Sequence, residues 1–149
     1  MSGKHGPNSW QDYLEVHRSR IADFMDHFIL EDRLRITRTR TQVAWEGELM
    51  CADGIEIHVA KRQEVTIRGG QPWVRTVDYS YHVFRRVGPV TTNLVRYDNA
   101  AHHRHPDAHH RHRYDANGHE ILPPEHVGED GWPTLGEVLA EAFALRGHD

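Results

Sequence analysis

The stretch LVRYDNAAHHRHPDAHHRHRY, residues 94–114, concentrates the reactive side chains of this chain. It opens on strand-like residues that end in Arg96-Tyr97-Asp98-Asn99. HHRH then occurs twice, at 102–105 and 109–112, around a Pro-Asp-Ala spacer. Six histidines and three arginines fall between positions 102 and 113. Core packing has no use for such a composition; anion binding, metal binding and proton transfer do. Arginine offers a planar fork matched to phosphate, and histidine gives and takes protons near neutrality. RNA cleavage through its own 2′-hydroxyl needs a base for that hydroxyl, an acid for the leaving 5′-oxygen and a cation for the charged phosphorus centre. This segment contains all three types. On that reading Arg96 holds the scissile phosphate and Arg111 adds charge. His110 and His112 serve as base and acid in either order, and Tyr97, Asp98 and His82 orient them.

A metal site is the competing chemistry. On an extended backbone His103 and His105 point the same way, as do His110 and His112. Such pairs make a metal clip to which Asp98 or Asp107 adds an oxygen. Cys51 is the single cysteine, and neither Cys-x-x-Cys nor HExxH occurs. The expectation is therefore no obligatory cofactor, with opportunistic zinc or nickel on the histidines. Glycine-rich phosphate loops are also missing, which removes support for nucleotidyl transfer. The bland reading is a solvated loop of biased composition. Against it stands the polar Arg96–Asn99 run, which closes a strand directly before the tract and offers a rigid edge on which to build. The alternative function is a non-enzymatic metal-binding or protein-interaction module built on the histidines.

The elements that must position these residues read as one α+β domain. Its 149 residues fit a flexible N-terminus over 1–8 and a single domain over 9–149, with the His-rich loop 102–113 inside it. Ser9 caps a helix whose stripe is Trp10, Tyr13, Leu14, His17, Ile21, Phe24, Met25 and Phe28. Residues 30–51 favour strand, with a bulge or bend in 37–42 to reconcile the parity of Leu34 and Ile36 with that of Val43 and Trp45. Ala52-Asp53-Gly54, Gly69-Gly70 and Gly88-Pro89 mark turns between further strands. Alternation puts Trp73, Arg75, Val77, Tyr79, Tyr81 and Val83 on one face. It likewise groups Thr92, Leu94, Arg96 and Asp98 apart from Val95 and Tyr97. A short strand near 110–114, an Asn117-Gly118 turn and irregular chain over 121–133 follow. Thr134 and Glu137 then form a capping box for a second helix. The architecture implied is a four- to five-stranded antiparallel meander packed against an N-terminal amphipathic helix, with a short C-terminal helix.

Formal charge is −4 with histidine neutral, and fourteen histidines make that figure pH-dependent. Basic residues collect at 33–40 and 102–113. The Arg33, Arg35, Arg38 and Arg40 series reads either as a solvated strand face or as an extension of an RNA-binding surface. A lone cysteine, no apolar leader and no membrane-length apolar run point to a soluble cytoplasmic protein. Cys51 itself, beside a hairpin turn, reads as inert.

Tyr79-Ser80-Tyr81-His82, then Arg96-Tyr97-Asp98-Asn99, then a run ending His110-Arg111-His112 and a C-terminal helix together resemble the TumE-like toxins of bacterial toxin–antitoxin pairs. The likeness runs from the third strand to the end, about half the chain. It implies a small α+β domain that inhibits growth and is held in check by a cognate antitoxin, commonly a helix-turn-helix DNA-binding protein. The family's "RYDN … H-[KR]-H" pattern falls on Arg96–Asn99 and, by spacing, on His110 and His112. The longer N-terminal helix and the duplicated HHRH depart from it.

Overall fold

A computed structural model describes residues 4–99 and 109–146. The first HHRH copy, including the candidate metal ligands His103 and His105, lies outside the described residues. In chain order the elements are β1 (Asn8–Ser9), α1 (Trp10–Met25), β2 (Ile29–Asp32), β3 (Arg35–Arg38), β4 (Gln42–Cys51), β5 (Ile55–Arg68), β6 (Gln71–Val87), β7 (Val90–Asp98), β8 (His110–Tyr114), β9 (Glu120–His126), α2 (Gly128–Gly131) and α3 (Leu135–Leu145). The strands form one antiparallel sheet in the order β2-β4-β5-β6-β7-β8-β9, with β3 pairing β4 and β1 pairing β6. The class is α+β with a helix near each end, as expected. The sheet has nine strands rather than four to five.

Local chemistry accounts for the extra strands. The parity change expected as a bulge in 37–42 is a hairpin turn, in which the Thr39 N–H donates to the Gln42 carbonyl at 2.8 Å. It splits the run into β3 and β4, while β2 pairs further along β4. At the other edge the Asp115 carboxylate accepts the Asn117 and His119 N–H groups at 2.9 and 3.0 Å. That turn folds β9 back on β8, so Glu120–His126 is strand and not irregular chain. Pro123 and Pro124 fit there because an edge strand leaves one row of N–H groups unpaired anyway.

Two register shifts decide which side chains share a face. β5 pairs with β6 through Arg62↔Asp78 and then Gln63↔Thr76, so Val77 is the extra residue. Val74 and Thr76 consequently join Tyr79, Tyr81 and Val83 among the buried residues, and the expected common face from Trp73 to Val83 is broken. Between β6 and β7, Val83↔Val95 is followed by Phe84↔Asn93, which skips Leu94. Asn93 therefore joins the Arg96 face. Bulges do this because side chains alternate with a period of two.

α1 and α3 cover the face that carries Ile57, Val59, Tyr79, Tyr81, Val83, Val95 and Tyr97, and they add Ile21, Leu135, Val138, Leu139 and Ala142 to one apolar cluster. Ser9 Oγ accepts the Asp12 N–H at 3.1 Å and starts α1. Thr134 and Glu137 cap α3 reciprocally, through Glu137 N–H to Thr134 Oγ1 at 3.2 Å and Thr134 N–H to Glu137 Oε1 at 3.0 Å. No described helix lies over the opposite face of the sheet, and no helix among the described residues is long and apolar enough to cross a membrane.

A smaller cluster under α1 contains a polar chain. Trp45 Nε1 donates to Gln63 Oε1 at 2.8 Å and Gln63 Nε2 donates to Thr76 Oγ1 at 3.1 Å. Gln63 is fully buried. Gln63→Leu strands the indole N–H and is expected to cost ~1–3 kcal/mol, read as a lower midpoint in chemical denaturation. An unchanged midpoint would show that the chain does not stabilise the fold.

Two histidines on the helical side make stability pH-dependent. Burial, with the charge of Lys61, holds His17 down at about 4. Burial also brings His5, stacked on Trp132 at 3.2 Å, to about 4. The unfolded chain binds protons at these positions from about pH 6.5 downward, while the folded chain does not. Stability is therefore full above pH 6.5 and falls as pH drops toward 4. Denaturation midpoints at pH 7.5 and 4.5 should differ, and His17→Phe should shrink the difference. An equal difference in that variant would remove His17 from the effect.

Candidate active site

The uncovered face presents a row of basic side chains in register. His58 lies opposite His82, His82 opposite Arg96, and Arg96 opposite His112, across β5, β6, β7 and β8. Adjacent strands stand about 4.8 Å apart, so Arg96 sits centrally with an imidazole one strand away on either side. The next row, at the end of β7 and the start of β8, is Ser80, Asp98 and His110. Between β3 and β7 the face dips into a depression of about 380 Å³ bordered by Arg35, Glu46, Glu48, His58, His82 and Arg96. Arg35 thus brings one member of the arginine series into the site, whereas Arg33 is held by Glu31 at 2.7 Å.

Each of the three central groups is fixed by a neighbour. Arg96 Nε donates to Asp98 Oδ2 at 2.9 Å on its own strand. His112 Nδ1 lies 3.0 Å from Glu120 Oε2. Its Nε2 lies 3.3 Å from Asp98 Oδ2 and 3.4 Å from Arg96 Nη2. Glu120 accordingly holds the proton on Nδ1 and leaves Nε2 facing Asp98 and Arg96. Protonated, Nε2 donates to Asp98; deprotonated, it accepts from Arg96. Both states are satisfied without movement, as a group that releases and regains a proton requires.

His82 is built differently. Its Nε2 lies 2.8 Å from Asn93 Oδ1, an acceptor, so Nε2 carries the proton and Nδ1 is the open basic nitrogen. Burial pulls its pKa below the ordinary histidine value, and the charge of Arg96 adds to the fall, while the Asn93 hydrogen bond opposes it. A neutral, tautomerically fixed imidazole and a ring held between two carboxylates thus flank one guanidinium.

Not every residue singled out in the sequence reaches this face. His110 does, with its ring 6.2 Å from His112 and 4.6 Å from His126. Tyr97 points the other way, under α3, where its hydroxyl donates to Glu141 Oε1 at 2.8 Å and accepts from Arg111 Nε at 2.9 Å. Arg111 also grips Glu141 Oε2 at 2.7 Å. Burial and Glu141 push the Tyr97 phenol up to about 12. Tyr97 and Arg111 therefore clamp α3 to the back of β7 and β8. His109 is likewise buried behind the sheet, with Nδ1 2.8 Å from the Tyr79 hydroxyl and its ring stacked on Trp132. The second HHRH copy divides, sending His110 and His112 to the open face and His109 and Arg111 to the helical one.

Asn93 and Glu120 escaped the sequence reading. Glu120 had a signal, because an Asn117-Gly118 hairpin turns the chain back toward His112. Asn93 had none, since only the Leu94 bulge brings it beneath His82. Among the described residues no group of three histidine, cysteine, aspartate or glutamate side chains could hold a metal ion. Cys51 is buried, and burial raises its thiol to about 12.

No curated protein and no solved structure matches the chain at a significant level. A family model described as toxin TumE matches residues 17–142. That span takes in most of α1, the sheet from β2 to β9 and most of α3, with every residue of the His82, Arg96 and His112 row. The chain belongs to the TumE toxin family.

Proposed function

We propose that this toxin cleaves RNA without a bound metal, by attack of a 2′-hydroxyl on the neighbouring phosphorus. The observation that carries the reading is the cross-strand row of His82, Arg96 and His112. His82 Nδ1 takes the proton of the 2′-hydroxyl as that oxygen bonds to phosphorus. Arg96 binds the non-bridging oxygens as charge builds on them. The bond from phosphorus to the 5′-oxygen breaks, and His112 Nε2 gives that oxygen its proton. The products are a 2′,3′-cyclic phosphate and a 5′-hydroxyl. Asp98 and Glu120 orient Arg96 and His112. Arg35, across the depression, adds positive charge for the flanking backbone, and His110, a neighbour of His112, adds a hydrogen-bonding ring. Assigning His82 as base and His112 as acid replaces a His110/His112 pair with groups that lie on opposite sides of the arginine. The toxin's partner is its antitoxin, and we infer a helix-turn-helix DNA-binding protein in that role.

The test uses protein purified without a metal column and incubated with mixed RNA in excess chelator. The wild type should cleave, while folded His82→Ala and His112→Ala variants should not. Cleavage that needs added metal, or that survives in both variants, would overturn the reading.

A further inference from the structure

A second concavity lies on the helical side of the sheet, opposite the His82 row. It occupies about 730 Å³ between α1 and α3. Phe24, Leu135 and Leu139 give it apolar walls. Lys61, on the helix-covered face of β5 opposite Trp45 and Tyr79, forms its polar end. Lys61 is only 5% exposed. Its Nζ donates to the Tyr13 hydroxyl at 2.7 Å and lies 4.4 Å from the Trp45 ring centre and 5.0 Å from that of Tyr13.

Those are its only hydrogen-bond and ring partners among the described residues, its charge also acts on His17 and His5, and none of these is an anion. The other cations lining the cavity have carboxylates of their own, Lys4 on Glu137 at 2.9 Å and Arg20 beside Asp23 at 3.9 Å. The Tyr13 hydroxyl accepts from Lys61, and nothing among the described residues accepts its own proton. An ammonium withdrawn from water without a counter-ion is unfavourable, and two ring faces with one phenol offset only part of that. Three carboxylates also line the cavity. Glu137 and Asp23 pair with Lys4 and Arg20, and Asp12 makes no hydrogen bond or ion pair with Lys61 or Tyr13. Two donors, the Lys61 ammonium and the Tyr13 O–H, thus face the cavity without an anion of their own. Its volume falls within the range of small-ligand sites, about 300–1,000 Å³.

We propose that this cavity binds a small organic acid, with its carboxylate on Lys61 and Tyr13 and its apolar body against Phe24, Leu135 and Leu139. The site is separate from the nuclease reading and does not depend on it. The probes are octanoate and 1-octanol, which share an apolar body and differ in charge, titrated into the full chain by calorimetry. Octanoate should bind one to one and at least about tenfold tighter than octanol, the usual gain from hydrogen bonds to a charged group. Lys61→Met should bring octanoate down to the octanol level. Ala140→Trp, an exposed α3 position lining the cavity, should abolish both without touching the lysine, and it decides the matter if the Lys61 variant fails to fold. No octanoate binding, equal binding of the two probes, or octanoate binding retained in Ala140→Trp or in folded Lys61→Met would overturn the proposal.

Discussion

Arg96→Ala is expected to lower RNA cleavage by about 10²–10³-fold, the usual effect of removing one preorganised group that stabilises developing charge, and to abolish growth inhibition with it. The fold should survive. Arg96 lies on the uncovered face with its side chain 37% exposed, and its described polar partners are Asp98 and His112. Losing a partly exposed ion pair costs at most about 1 kcal/mol. Arg96→Lys keeps the charge but loses the planar fork, so it should recover only part of the rate. Kinetics and a thermal melt on the same preparations check the result. Full activity in a folded alanine variant would remove Arg96 from phosphate binding.

His82→Ala should lose about 10²–10⁴-fold, the range for a positioned general base, and the pH dependence should identify the cause. Burial and Arg96 lower the His82 pKa in the folded protein, so the base stays unprotonated below the ordinary histidine value near 6.5. The acidic limb of kcat/KM should therefore lie below pH 6.5. Two substitutions should move that limb in opposite directions. Asn93→Leu removes the hydrogen bond that raises the pKa, and shifts the limb further down. Arg96→Ala removes a charge that lowers it, and shifts the limb of the residual activity up. A limb that stays in place in both variants would mean that another group is the base.

Part of this arrangement was legible from residue spacing. His-x-His on a strand places both rings on one face, and His110 and His112 do share the open face of β8. Simple alternation also puts Tyr97 on the opposite side from Arg96, which is incompatible with a role beside His112; its hydroxyl is occupied by Arg111 and Glu141. The helix caps at Ser9 and Thr134 were readable because they rest on contacts three residues apart. The bulges at Val77 and Leu94 were not. Apolar side chains occupy both parities there, so either register looks acceptable until β5, β6 and β7 are aligned together. β9 was obscured by Pro123 and Pro124, which exclude a central strand and leave an edge strand open. Asn93 and Glu120, which fix the rings of His82 and His112, became visible only with those two long-range features. The site is assembled by pairing between strands, and residues such as His58, His82, Arg96 and His112 carry no local mark of being neighbours.

The central claim is that a neutral His82 and a carboxylate-held His112 act across one phosphate bound by Arg96. The most direct measurement is the chemistry of the cut ends in chelator, made on an RNA oligonucleotide and on the same oligonucleotide with a single 2′-deoxy substitution at the cleaved position. The arrangement predicts a 2′,3′-cyclic phosphate and a 5′-hydroxyl from the first and no cleavage at that position in the second. A 5′-phosphate product, or equal cleavage of the deoxy-substituted strand, would contradict it.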